Sequence, residues 1–166
     1  DVAYDLSPQR ITLAPERRSG GAAMSGLDVE SLGDTLKRQV LHLRDAGIQV
    51  AVRVEPDVDQ VNALYRAEAD VVVLNTGLFM RGGTSEERRA EAMRLGDAAS
   101  RARRLKMGVA VGGELDLAAV EELARFAAIT ECQVGHACLS RALLIGVENA
   151  VRDFTGAIER GRRRAS

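Results

Sequence analysis

The chain has 166 residues, 46% of them hydrophobic, which suits one domain with a substantial core. Its 23 Lys and Arg against 24 Asp and Glu leave a formal net charge of −1, and aromatics are 3% with no Trp, so there is neither a basic field for nucleic acid or an anionic membrane nor a stacking platform for bases. Two cysteines and two histidines are too few for a zinc cage, no apolar run reaches the ~20 residues of a membrane span, and the absence of a charged-then-apolar leader makes a reducing cytoplasm the expected location.

Short β-rich runs alternate with long amphipathic ones. Ile11 to Ala14 is the first predicted strand. Val29, Leu32, Leu36, Val40 and Leu43 then recur at spacings of three and four, predicting a helix that Gly47 stops. Ile48 to Val54 is the second strand, followed by a helix from Pro56-Asp57 carrying Val58, Val61 and Leu64. Val71 to Leu74 is the third strand. The next helix opens at Thr84-Ser85-Glu86-Glu87, where Thr84 and Glu87 fit a reciprocal capping box, and runs to about Lys106. Met107 to Val111 is the fourth strand, with a helix over about Leu117 to Ala127 after it, and Ile129 to Val134 is the fifth. A last helix from about Leu139 is expected to carry Leu143, Val147, Val151 and Phe154 on one side, ending in a solvated Arg160 to Arg164 tail. Almost continuously apolar strands are those of a parallel sheet covered on both faces.

Strand followed by helix, five times over, gives either an open doubly wound sheet or part of an eightfold barrel. No G-x-G-x-x-G or G-K-[ST] loop follows an early strand, so the barrel is the better fit. A complete barrel typically needs ~250 residues, so about three strand–helix units are missing from this chain. Two unpaired sheet edges would favour association.

In a barrel, chemistry sits where the strands end. The first end, Leu13-Ala14-Pro15-Glu16-Arg17-Arg18, sets a carboxylate beside two guanidinium groups, which reads equally as a general base or as a surface ion cluster. The third, Leu74-Asn75-Thr76-Gly77, offers an amide, a hydroxyl and an N–H, or is simply a turn. The fourth, Val111-Gly112-Gly113-Glu114, permits close approach of backbone to a ligand, or is a tight strand-to-helix connection. The fifth, Val134-Gly135-His136-Ala137, runs into a helix whose N–H groups and imidazole suit an anion, unless His136 only caps that helix. His42 reads as solvated surface, and Cys132 and Cys138 as small core residues without a histidine to activate them.

In this order and placement, Leu13 to Arg18, Gly26-Leu27-Asp28-Val29, Asn75-Thr76-Gly77, and Val134 to Ala137 with Ser140-Arg141-Ala142 and Gly146-Val147 resemble the pyridoxine 5′-phosphate synthase family over nearly the whole chain. The resemblance implies a TIM (β/α)8-type barrel, of which this chain is strands four to eight with their helices. Residues 1–166 would then form a single domain, the C-terminal two-thirds of the barrel. It also implies condensation of 3-amino-2-oxopropyl phosphate with 1-deoxy-D-xylulose 5-phosphate to pyridoxine 5′-phosphate, phosphate and water, with no metal or organic cofactor, in a homo-oligomer whose partners are small phosphorylated substrates. By match, Glu16 is the general base, Thr76, Gly113, Gly135 and His136 are substrate-binding positions, and Ser19 to Gly26 form a lid that excludes water. Gly113 stands where the family carries a histidine that acts as an acid, Asn75 stands where it carries a histidine before Thr-Gly, and Ala22 to Gly26 replace its Thr-Thr-Glu-Gly-Gly. Losing a positioned acid typically costs ~10²–10⁴ in rate, and Glu114 is the candidate substitute. The alternative is a catalytically impaired relative that binds a phosphorylated ligand or a partner subunit without turnover.

Overall fold

The computed structural model describes residues 5–15 and 25–165. Its strands are β1 (Arg10–Leu13), β2 (Gln49–Val54), β3 (Val71–Asn75), β4 (Gly108–Gly112) and β5 (Glu131–Gln133). Its helices are α1 (Val29–Asp45), α2 (Val58–Arg66), α3 (Gly77–Arg81), α4 (Ser85–Arg104), α5 (Leu117–Leu123), α6 (His136–Ile145) and α7 (Val147–Arg163). All five predicted strands are present within a residue or two. Each pairs in parallel with the next in the sequence, in the order β1-β2-β3-β4-β5. A doubly wound sheet reverses its order at a switch point; this one never does, which selects the barrel type of winding.

Local chemistry sets the helix boundaries. Asp28 caps α1 through the Ser31 N–H, Asp57 caps α2 through Asp59, and Asp116 caps α5 through Ala119. The Thr84 capping box is complete: its side chain accepts from the Glu87 N–H at 3.1 Å, and the Glu87 carboxylate accepts from the Thr84 N–H at the same distance. Their apolar stripes cover the convex face of the sheet, burying Val50, Val52, Val54, Val72, Leu74, Val109 and Val111 against Leu36, Val40, Val61, Leu64, Leu95 and Val120. Each such side chain contributes about 1.5–3 kcal/mol of transfer free energy.

The concave face is different. Ala51, Val71, Val73 and Ala110 form a small separate apolar cluster there, with polar residues at either end of it. At the N-terminal end of the strands Arg10 donates to Gln49 Oε1 and to Glu131 Oε2, each at 2.6 Å. In a flat sheet β1 and β5 would lie four spacings of ~4.8 Å apart, beyond the reach of these two side chains. The ion pair therefore requires a strongly curled sheet, a half-barrel.

Two expectations need correction. The last helix is two: the chain breaks at Gly146, whose φ of +85° a helix cannot continue, separating α6 from α7. Leu139, Leu143, Val147 and Val151 are consequently exposed, as are Leu144 and Ile145, and of the expected stripe Phe154 alone is buried. Second, Thr76-Gly77, expected as a turn or a ligand contact, opens the short helix α3. His42 is exposed, as expected, and Cys132 and Cys138 pack against the core. Burial pushes the Cys132 thiol up to about 11, Glu131 adding to the rise and Arg162 opposing it, so the group is a neutral thiol at pH 7.

Glu131 provides a test of the curl. Desolvation raises its pKa, but hydrogen bonds from Arg10 and Gln133 and the charge of Arg10 outweigh it and hold the carboxyl below its ordinary value. The pair is about one-third exposed, so a double-mutant cycle of Arg10→Ala and Glu131→Ala should give a coupling of only about 0–1 kcal/mol at pH 7. A depressed native pKa stabilises above the unfolded value, so this coupling should persist at neutral pH and disappear as the pH falls below the ordinary carboxylate range. Urea unfolding at pH 7 and in acid measures both.

Candidate active site

The register fixes which side chains meet at the C-terminal ends of the strands. Arg53 pairs with Val73, Val73 with Ala110, and Ala110 with Glu131, forming one row across the concave face. The next row up is Asn75, Gly112 and Gln133, and continuing the β2 register adds Glu55. Residues that follow these ends form the rim.

A cleft of about 630 Å³ opens there, lined by Arg53, Gly113, Glu114, Leu115 and the Gln133 to Ala137 segment. Three of the predicted site residues, Gly113, Gly135 and His136, thus line one cavity. Gly135 is the N-cap of α6, and no side chain caps that helix, leaving its first N–H groups for a ligand. His136 is exposed, with Nε2 3.4 Å from Ser140 Oγ one turn on. Arg53 brings positive charge from the floor, although burial lowers its guanidinium pKa. An arginine remains charged in the working pH range despite such a shift.

Thr76 is fully buried, directly behind this cleft. Its hydroxyl donates to the Gly113 carbonyl at 2.5 Å, and its N–H donates to Gly112 O at 3.1 Å. Asn75, 4% exposed, donates from Nδ2 to Glu55 Oε1 at 2.8 Å and accepts from the Gly77 N–H at Oδ1. Gly113 has φ +131°, and a Cβ there would lie 2.8 Å from Asn75 Oδ1 and 3.1 Å from Thr76 Oγ1. Glu114 follows with φ +58° and an exposed side chain in the cleft. The position expected to lack an acid therefore also lacks room for a side chain of any kind in this backbone. Glu16 and most of the expected lid, residues 19–24, lie outside the described residues.

Sequence reasoning missed Arg53, Glu55 and Gln133. The signals were present: Arg53 is a lone charge in an apolar run, and Glu55 directly follows β2 at the level where the other strand ends were read. A larger, more open cleft of about 750 Å³ lies among Arg44, Tyr65, Glu68, Asp70 and Lys106, where strands begin. Its charges are largely engaged with one another, Arg44 reaching both Glu68 and Asp70 at 3.6 Å. Position at the N-terminal end of a barrel marks it as stabilising rather than chemical.

Residues 1–160 match the family described as pyridoxal phosphate biosynthesis protein PdxJ. The chain belongs to this family. Curated relatives named pyridoxine 5′-phosphate synthase include those of Desulforapulum autotrophicum, 33% identical over 95% of this chain and 66% of that one, and Chlorobium chlorochromatii, 35% identical over 95% and 66%. The Idiomarina loihiensis relative is 33% identical over 98% of this chain and 67% of its own length. The chain thus spans about two thirds of the length of the relatives it matches. Among solved structures, the YdjI aldolase from Escherichia coli K12 superposes with a TM-score of 0.55 at 15% identity, over 99% of this chain and 59% of that one, a likeness of fold alone. Among the described residues, no helix is long and apolar enough to cross a membrane.

Gly113→Ala should lower stability by about 1–3 kcal/mol, since it combines a left-side backbone with a steric overlap on buried polar atoms. Gly135→Ala, at a position with nothing within 4 Å of the added Cβ, serves as the matched control. Denaturant midpoints of the two variants compare them.

Proposed function

We propose that this PdxJ-family chain takes part in pyridoxine 5′-phosphate synthesis, condensing 3-amino-2-oxopropyl phosphate with 1-deoxy-D-xylulose 5-phosphate. The observation that carries the reading is the cleft in which the uncapped start of α6, His136, Arg53 and Glu114 meet at the C-terminal strand ends. Both substrates carry a phosphate, and backbone N–H groups with a guanidinium nearby are the chemistry that receives one. In this reading Gly135 and His136 hold a phosphate, Thr76 acts by fixing the Gly113 carbonyl, and Gly113 lets the substrate approach the backbone closely. Glu16 serves as the base for the attacking amine, and Glu114 takes the place of the absent histidine as acid.

The same proposal identifies the five strands with strands four to eight of the barrel, making 1–166 the C-terminal two-thirds of a single domain, working in the cytoplasm. A second reading, ligand binding without turnover, draws support from Gly113, where the family's acid is missing and its space is filled by Asn75 and Thr76. Homo-oligomerisation also belongs here, supported by the exposed apolar group Leu139, Leu143, Leu144 and Val147.

Incubation with both substrates should yield pyridoxine 5′-phosphate, and Glu16→Gln or Glu114→Gln should suppress it by about 10²-fold or more. Gly135→Asp, which has room for its side chain but sets a negative charge at the helix start, should weaken inorganic phosphate binding by about tenfold or more. Phosphate binding without product would select the second reading; neither binding nor product would reject both. Leu143→Glu with Leu144→Glu should shift the protein to smaller species in sedimentation velocity, and an unchanged distribution would remove these leucines from any interface.

A further inference from the structure

We propose that Glu55 is a positioning residue of this cleft: acting through Asn75, its carboxylate holds the Gly113–Leu115 wall in the conformation that receives the ligand. The inference rests on the phosphate-cleft reading and adds to it a residue that does not itself line the cavity.

The argument starts from the turn. Gly113 and Glu114 have consecutive positive φ values, +131° and +58°. A non-glycine residue in that region costs of order 1 kcal/mol and persists only where the surroundings over-determine it. Two contacts do so here: Thr76 Oγ donates to the Gly113 carbonyl, and the Asn75 amide fills the space beside Gly113 Cα.

Asn75 can do this in one of its two amide orientations. A carboxylate only accepts hydrogen bonds, so the Asn75 NH₂ must face Glu55, as it does at 2.8 Å. That leaves Oδ1 toward the Gly77 N–H at 3.3 Å and toward Gly113. Without an acceptor at position 55, the longer contact from the Gly77 N–H is what remains to orient the amide.

Glu55 is itself fixed. The same oxygen, Oε1, accepts from the Gly26 N–H at 2.7 Å, and the neighbouring Leu27 N–H donates to Arg53 O at 2.7 Å. Gly26 lies so close that a Cβ would fall 2.2 Å from the Glu55 backbone nitrogen. One half-buried carboxylate oxygen therefore joins the segment entering α1, the end of β2 and the end of β3, and through Asn75 the end of β4.

The test separates the acceptor from the charge and from the fold as a whole. In the free protein, Glu55→Ala should accelerate amide hydrogen exchange over residues 112–115 by about tenfold or more, while residues 71–74 exchange as before. Glu55→Gln retains an oxygen that accepts from both Gly26 and Asn75, and should restore the wild-type pattern. Affinity for inorganic phosphate should follow the same order, falling in Glu55→Ala and recovering in Glu55→Gln. If Glu55→Ala does not fold, Glu55→Met keeps the volume, removes the acceptor and takes its place. Unchanged exchange over 112–115 in the acceptor-free variant would overturn the proposal, as would a Gln variant that behaves like Ala. Absence of phosphate binding by the wild-type protein would overturn the cleft reading instead, and the exchange comparison would still decide the role of Glu55.

Discussion

Everything at the mouth of this molecule follows from the parallel register of five strands on a sheet curled tightly enough for Arg10 of β1 to reach Glu131 of β5. Because paired residues share a face, that register stacks side chains into rows. The middle of the concave face is filled by Ala51, Val71, Val73 and Ala110, small or branched residues that fit a narrow interior. Polar residues flank this cluster: Arg10, Gln49 and Glu131 meet where the strands begin, and Glu55, Asn75, Gly112 and Gln133 form the row where they end.

The polar upper row is where packing becomes chemistry. Asn75 and Thr76 are the two buried polar residues beneath the cleft, and both act on Gly113. A buried amide or hydroxyl must be hydrogen-bonded to be tolerated, and the partners available to these two are backbone groups of neighbouring strand ends and Glu55. The same requirement that satisfies them sets the shape of the wall facing His136. This arrangement also leaves room for nothing larger than glycine at position 113, because the Asn75 and Thr76 side chains fill the space beside it.

The apolar surface at the α6–α7 junction has the opposite character. Leu143 and Leu144 are 82% and 85% exposed, and Val147 and Val151 continue the patch onto the next helix. Such a group of large side chains exceeds the scattered exposure normal for a soluble surface. The Gly146 break divides it between α6, which carries Leu139, Leu143 and Leu144, and α7, which carries Val147 and Val151.

How much of this was legible beforehand depends on the range of the interaction involved. The sequence by itself determined the five strands, most helix boundaries and the capping box at Thr84, because hydrophobic period and capping are set by residues within a few positions of one another. It also determined the family, through short motifs whose order along the chain needs no coordinates, and it marked Gly113, Gly135 and His136 as candidate site positions. Tertiary structure alone decided that these three share a cavity, that Thr76 faces Gly113 rather than open space, that Arg53 and Gln133 join the lining, and that Glu55 stands behind it on Asn75. Those facts depend on which residues of separate strands become neighbours, and a register that spans 20 to 40 residues of intervening chain has no local signature. The break at Gly146 belongs to the same class: a glycine permits a positive φ, but only the packing of α7 against α5 determines that the chain uses it.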